Sequence, residues 1–306
     1  MKAIAKRLFY VIMLWVVNGL IYGFFTAVYM LFNQYYRLNG YVLGIWRGFG
    51  ICLLFLPCLF FVEVPTDIKY WCLLLLQGIC IGIYDSRIFF ASAEFGAGPT
   101  SRFMAVTVLL TTFAWWYLTP PLFWQLFADG NLLVTLMLIL CGFSFCYWQM
   151  LNSEVSKAAA KFTLPAVLAL SAMSIITKYI ATDGRSLWQG LSYYLTVSTF
   201  VSGIYNLLGY CLQKEKPEIV SWKMLKIGVL LVAFSSVLII AKTMALRIAP
   251  NPGYVTALLL IAPLFIYALN RHYKISDTIS LEAGFAMIFF LVMLAVLVSG
   301  GYGVVD

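Results

Sequence analysis

The stretch Ile83-Tyr84-Asp85-Ser86-Arg87-Ile88-Phe89-Phe90 is followed after a short gap by Glu94-Phe95-Gly96-Ala97-Gly98-Pro99-Thr100-Ser101-Arg102. The first half puts charges into an apolar run, and the second half ends that run and opens another. An ionisable group inside a membrane span costs roughly 2.5 kcal/mol or more, so it persists where it faces a cavity or a partner. This corner is therefore the first candidate for a substrate site.

Composition gives the same class. The chain is 63% hydrophobic and 10% charged, with positive mean hydropathy. A soluble domain would be about half apolar and a quarter charged, so the chain reads as a polytopic membrane protein. Its net charge of +8 is scattered through short loops between apolar runs. That is the distribution of topology signals and not of a nucleic-acid surface. Each of the seven cysteines lies in an apolar run, none in a CxxC pair, which predicts buried thiols and neither disulfides nor a metal site. No cofactor is expected. His272, the sole histidine, follows an apolar run and is expected to be solvated.

A span needs about 20 apolar residues. By that measure the spans are Leu8–Phe32, Gly40–Val62, Tyr70–Ala93, Pro99–Thr119, Asn131–Leu151, Thr163–Thr182, Trp188–Leu212, Met224–Ala249, Pro252–Leu269 and Ile279–Ser299. The first is too long for a signal-peptide core and should remain in the protein. Breakers separate the spans, among them Asn39-Gly40, Gly98-Pro99, Asp183-Gly184 and Pro250-Asn251-Pro252. No loop is long enough to form a domain, so the chemistry lies in the bilayer.

Ala91-Ser-Ala-Glu-Phe-Gly-Ala-Gly-Pro99 joins the third span to the fourth, and Met244-Ala-Leu-Arg-Ile-Ala-Pro-Asn-Pro252 joins the eighth to the ninth, half a chain apart. Asp85 with Arg87, and Lys242, lie at similar distances before those prolines. Five spans per half is odd, so the halves 1–153 and 154–306 would enter the membrane in opposite senses, as an inverted repeat with its substrate near the midplane. The fold class is an all-α membrane protein.

Ten spans, two five-helix halves, small-residue and proline breaks at matching places and Arg47 early in the second span resemble the drug/metabolite transporter superfamily, of EamA-like type. Where members of that family often carry Gly-Glu after the fourth and ninth spans, this chain has Thr119-Pro120-Pro121 and Leu269-Asn270-Arg271. The resemblance implies a ten-helix bundle in a bacterial inner membrane, with a central cavity lined chiefly by spans 1, 3, 4, 6, 8 and 9. It also implies alternating access. With cytoplasmic termini, that side would hold Lys2, Lys6, Arg7, Lys69, Lys178, Arg185 and Arg247, fewer basic residues than the opposite side; the basic flank of the first span decides for this orientation.

Helical phase separates the charges of the third span. Asp85 shares a face with Gly78 and Gly82, a seam where another helix can approach, whereas Arg87 shares one with Tyr84 and Glu94. Gly40, Gly44 and Gly48 form a similar seam beside Arg47. These positions predict a structural ion pair, Arg47 with Asp85, and leave Tyr84, Arg87 and Glu94 to the cavity. Lys242, Asn18, Tyr22, Thr107 and Tyr254 complete the candidate substrate site, with Asp85 itself as the alternative ligand. Arg102, Lys178 and Arg247 are expected to snorkel to the interface.

Arg87 and Lys242 favour an anionic or zwitterionic solute, such as an amino acid, organic acid or nucleotide-like metabolite, because cations suit carboxylate and phosphate. Coupling would run through a proton at Asp85 or Glu94 or through a counter-substrate, in a monomer or homodimer. A lipid flippase or a drug exporter is the alternative on the same scaffold. Intramembrane hydrolase chemistry lacks HExxH, GxSxG and a pair of intramembrane aspartates. A channel would need rings of polar residues, where this chain has single, asymmetric ones.

Overall fold

The computed structural model describes residues 2–121, 124, 130–150, 154–183, 186–275, 286, 289, 290 and 293. Among the described residues the chain is helical, with no strand. Helix α1 spans Lys2–Tyr36, α2 Gly40–Phe55 and α3 Ile68–Glu94. Helices α4, Ala97–Arg102, and α5, Met104–Leu118, follow. Then come α6, Gly130–Met150, and α7, Glu154–Thr182. Helix α8, Leu187–Tyr193, passes through a π-helical turn, Tyr194–Ser198, into α9, Thr199–Cys211. Helix α10 spans Trp222–Ile248, α11 Pro252–Leu258 and α12 Ala262–His272.

Six segments are long and apolar enough to cross a membrane: Leu14–Tyr36, Gly40–Phe61, Ile68–Glu94, Lys157–Thr182, Trp222–Ile248 and Pro252–His272. With large apolar side chains such as Leu53, Phe60, Phe61, Leu138 and Trp148 facing outward, they make this an integral membrane protein. The expected tenth span, Ile279–Ser299, lies outside the described residues except at positions 286, 289, 290 and 293.

Short polar side chains start these helices, at the expected breakers for Asn39 and Asn251 and three residues before the expected spans for Asp67 and Ser221. Asn39 accepts from the Tyr41 and Val42 amides at α2, Asp67 from Lys69 at α3, Ser221 from Met224 at α10 and Asn251 from Gly253 at α11. Gly96, at φ 87°, turns α3 into α4 through a conformation that other residues avoid. Three expected spans are not single rods. The second ends its α-helix at Phe55 and runs on as a 3₁₀ turn, Leu56–Phe61, because Pro57 cannot continue the ladder. The fourth breaks at Phe103. The ninth breaks at the 3₁₀ turn Leu259–Ile261, just before Pro263.

Packing is reciprocal. Helix α1 lies along α10 as α7 lies along α3, and α9 packs on α3 as α2 packs on α10. On the axis of this exchange α2 lies along α9, and α5 along α11. The glycine seams explain the closest approaches. A Cβ on Gly48 would sit 2.5 Å from the Gly203 nitrogen, and one on Gly78 would sit 2.6 Å from the Ser198 carbonyl oxygen. Both seams therefore receive the same neighbour, the π turn with α9, rather than each other.

Candidate functional site

Where α1, α2, α3, α9 and α10 meet, the apolar core holds a cluster of polar groups. The Asp85 carboxylate is fully buried. It accepts a hydrogen bond from the Tyr29 hydroxyl at 2.6 Å and pairs with the Arg47 guanidinium. Ser202, one turn beyond the π turn, lies beside the same carboxylate. The Arg47 guanidinium also stands 5.3 Å from the Tyr29 ring centre. Asp85 is thus satisfied on two sides, and helices α1, α2 and α3 are tied together through it. Burying an ion pair without such added bonds would leave its desolvation uncompensated.

Lys242 is different. It is 1% exposed, and its ammonium has no hydrogen-bond partner among the described residues. The Tyr22 ring lies 5.8 Å away, and the charge within electrostatic reach is that of Arg47, another cation. Cys80 of α3 is the other neighbour. Tyr22 in turn lies within electrostatic reach of Tyr84 and, from the π turn, Tyr194, and all three are buried. Beyond them Gln77 donates to Thr177 at 2.9 Å, joining α3 to α7. The centre of the bundle is therefore an aromatic-walled site with one uncompensated positive charge.

Tyr22, Tyr84, Asp85 and Lys242 are brought together there. The other candidates lie elsewhere. Arg87 is exposed on α3, with its guanidinium 5.1 Å over the Phe162 ring of α7. The expected wall of Tyr84 with Arg87 does not form: the two are three residues apart on one side of the helix, yet Tyr84 is buried while the longer Arg87 side chain is exposed and reaches across to α7. Glu94 is exposed at the end of α3 and does not cap the next helix, whose Ala97 amide donates to Gln34 instead, at 2.6 Å. Asn18 donates to Leu14 O of its own helix at 2.8 Å. Thr107 is buried on α5 with its hydroxyl unbonded, and Tyr254 is half-buried between two apolar clusters.

Arg102 and Lys178 do not snorkel; both are buried. Lys178 donates to Ala249 O at 2.6 Å and Arg247 O at 3.2 Å, which satisfies the last carbonyls of α10. Asn33 of α1 donates to Phe89 O of α3 at 2.8 Å and so ties those two helices together. Gln34 next to it donates to Asn270 Oδ1 at 2.9 Å. The adjacent polar pair Asn33-Gln34 at the end of an apolar run was the available signal for these two. Tyr29, Tyr194 and Ser202 carried none, since one aromatic or hydroxyl in such a run resembles the rest.

No family model matches this chain, and no curated protein matches it.

Proposed function

We propose that this protein is a secondary active transporter for a small anionic or zwitterionic solute, built on the ten-helix, inverted-repeat plan of the drug/metabolite transporter superfamily. The observation that carries the proposal is Lys242: a cation shut in the core, with Arg47 nearby and, among the described residues, no hydrogen-bond partner. An uncompensated buried charge costs several kcal/mol. An anionic group of the solute relieves that cost. Tyr22, Tyr84 and Tyr194 then form the walls, and the Arg47–Asp85–Tyr29 network holds the surrounding helices in place and is not itself a ligand.

The reciprocal packing of α1 with α10 and α7 with α3 supports the inverted repeat, as do the matching breaks after α3 and α10. Alternating access fits the way polar ties gather at the two ends. Gln34 with Asn270, and Asn39 with Gln213 at 2.9 Å, close one end between the halves. Toward the other, Gln189 of the second half reaches Glu63 O of the first, also at 2.9 Å. Opening either end breaks a few exposed or half-buried bonds and leaves the glycine seams intact. On this reading the membrane is a bacterial inner membrane with both termini cytoplasmic.

Purified protein in proteoliposomes, assayed for uptake and exchange with a panel of labelled amino acids and organic acids, tests the proposal. Transport of at least one anionic or zwitterionic solute is expected, and Lys242→Gln is expected to abolish it at normal folded yield. Undiminished transport by Lys242→Gln would remove the proposal's foundation.

A further inference from the structure

Arg87 has no place in the central site, yet it sits well inside a span. It lies seven residues before the end of α3 at Glu94, about 10 Å along the helix axis. It is exposed, and among the described residues it meets no carboxylate within ion-pair distance. Its guanidinium is held across to α7 by the Phe162 ring, a cation–π contact that keeps it at that depth. It lines a cleft of about 320 Å³ with Tyr41, Phe90, Phe162, Glu94 and Gln213. The last two, with Phe90, also border a wider cleft of about 830 Å³ that contains Arg37, Lys214, Lys216 and Glu215. The two clefts share Phe90, Glu94 and Gln213 as lining, and in them four cations outnumber two carboxylates.

The level of the membrane surface at this end is marked independently. Trp222 at the start of α10 is 71% exposed and Lys226 stands 5.4 Å from its ring, the pairing of aromatic and cation found at the headgroup layer. The segment leading into α10 is tied to this end of α2, where Trp46 donates to Ile219 O at 2.9 Å. The wide cleft is thus at headgroup depth, and the narrow one runs below it between aromatic rings. A soluble anion would have to leave water to reach Arg87. An amphiphile that brings its own chains does not.

We propose that the cleft formed by Arg87, Arg37, Lys214 and Lys216 binds an anionic glycerophospholipid, with its phosphate at Arg87 and the basic loop and its acyl chains along Tyr41, Phe90 and Phe162. Basic pockets between spans recognise anionic headgroups by the same electrostatics. The inference does not depend on what the central site carries.

Native mass spectrometry of detergent-purified protein, titrated with phosphatidylglycerol or phosphatidylcholine, tests it. Wild type should retain phosphatidylglycerol preferentially, and Arg87→Gln should lower that preference roughly five- to tenfold. The Lys214→Gln/Lys216→Gln variant, on an exposed loop whose change does not threaten folding, should lower it in the same direction by less. Equal retention of the two lipids by wild type, or an unchanged preference in Arg87→Gln, overturns the proposal. So does displacement of bound phosphatidylglycerol by glycerol 1-phosphate at equal concentration, which would make the cleft a site for free phosphate esters.

Discussion

Lys178 on α7 and Lys242 on α10 are both buried lysines in apolar spans, and they differ in one respect that sorts their roles. Lys178 bonds to the Ala249 and Arg247 carbonyls and so completes a helix end. Lys242, on the helix that Ala249 caps, has no hydrogen-bond partner among the described residues. Burial alone is thus a poor sign of function, and an unmet charge is a better one. The same contrast separates Asp85, answered by Arg47 and Tyr29, from Lys242, whose charged neighbour is Arg47, a second cation.

The sharpest way to break the comparison is to replace each lysine by methionine. Lys242→Met should reduce transport by about a hundredfold or more in proteoliposomes, if the ammonium supplies a charge-assisted contact made in the dry interior, while the variant unfolds no earlier than wild type. Loss of stability in Lys242→Met comparable with that of Lys178→Met would erase the distinction. Next in size, Arg47→Gln should destabilise by about 3–5 kcal/mol in a reversible denaturation measurement, because it strands a buried carboxylate. An Arg47→Met/Asp85→Leu double variant should regain most of that; no recovery would mean that the pair does more than satisfy itself. Lys178→Met should cost about 1–3 kcal/mol, the desolvation of the abandoned carbonyls, with transport per folded molecule unchanged. Smallest, Asn39→Ala should cost about 1 kcal/mol through the lost cap of α2, measured the same way, and any loss of transport beyond the loss of folded protein would point to the Asn39–Gln213 tie as a working gate.

How much of this was legible in the chain varies by residue, for physical reasons. Helix starts at Asn39, Asp67, Ser221 and Asn251 are local chemistry, and local chemistry is written in adjacent residues. Helical phase put Asp85 on the glycine side of α3, because that periodicity survives any tertiary arrangement. Phase also grouped Arg87 with Tyr84, yet only Tyr84 is buried at the centre, because how much of that face a neighbouring helix covers is decided by the fold. What no spacing could provide was which helix fills which seam. Gly48 and Gly78 invite a close neighbour without naming it, and α9 takes both places. The Lys178 cap and the Tyr29 hydroxyl bond likewise depend on partners far along the chain. The clefts at Arg87 arise from four segments that only the fold assembles.

The π turn at Tyr194–Ser198 acts as a gear between α8 and α9. A π turn carries more residues than an α turn, so everything after it is dialled by about 100° for the single extra residue, since an α-helix advances that much per position. Gly203 meets Gly48, and Ser202 reaches Asp85, because of that offset. Were the segment an unbroken α-helix, the small face of α9 would swing off α2 and present bulk to the backbone it now touches.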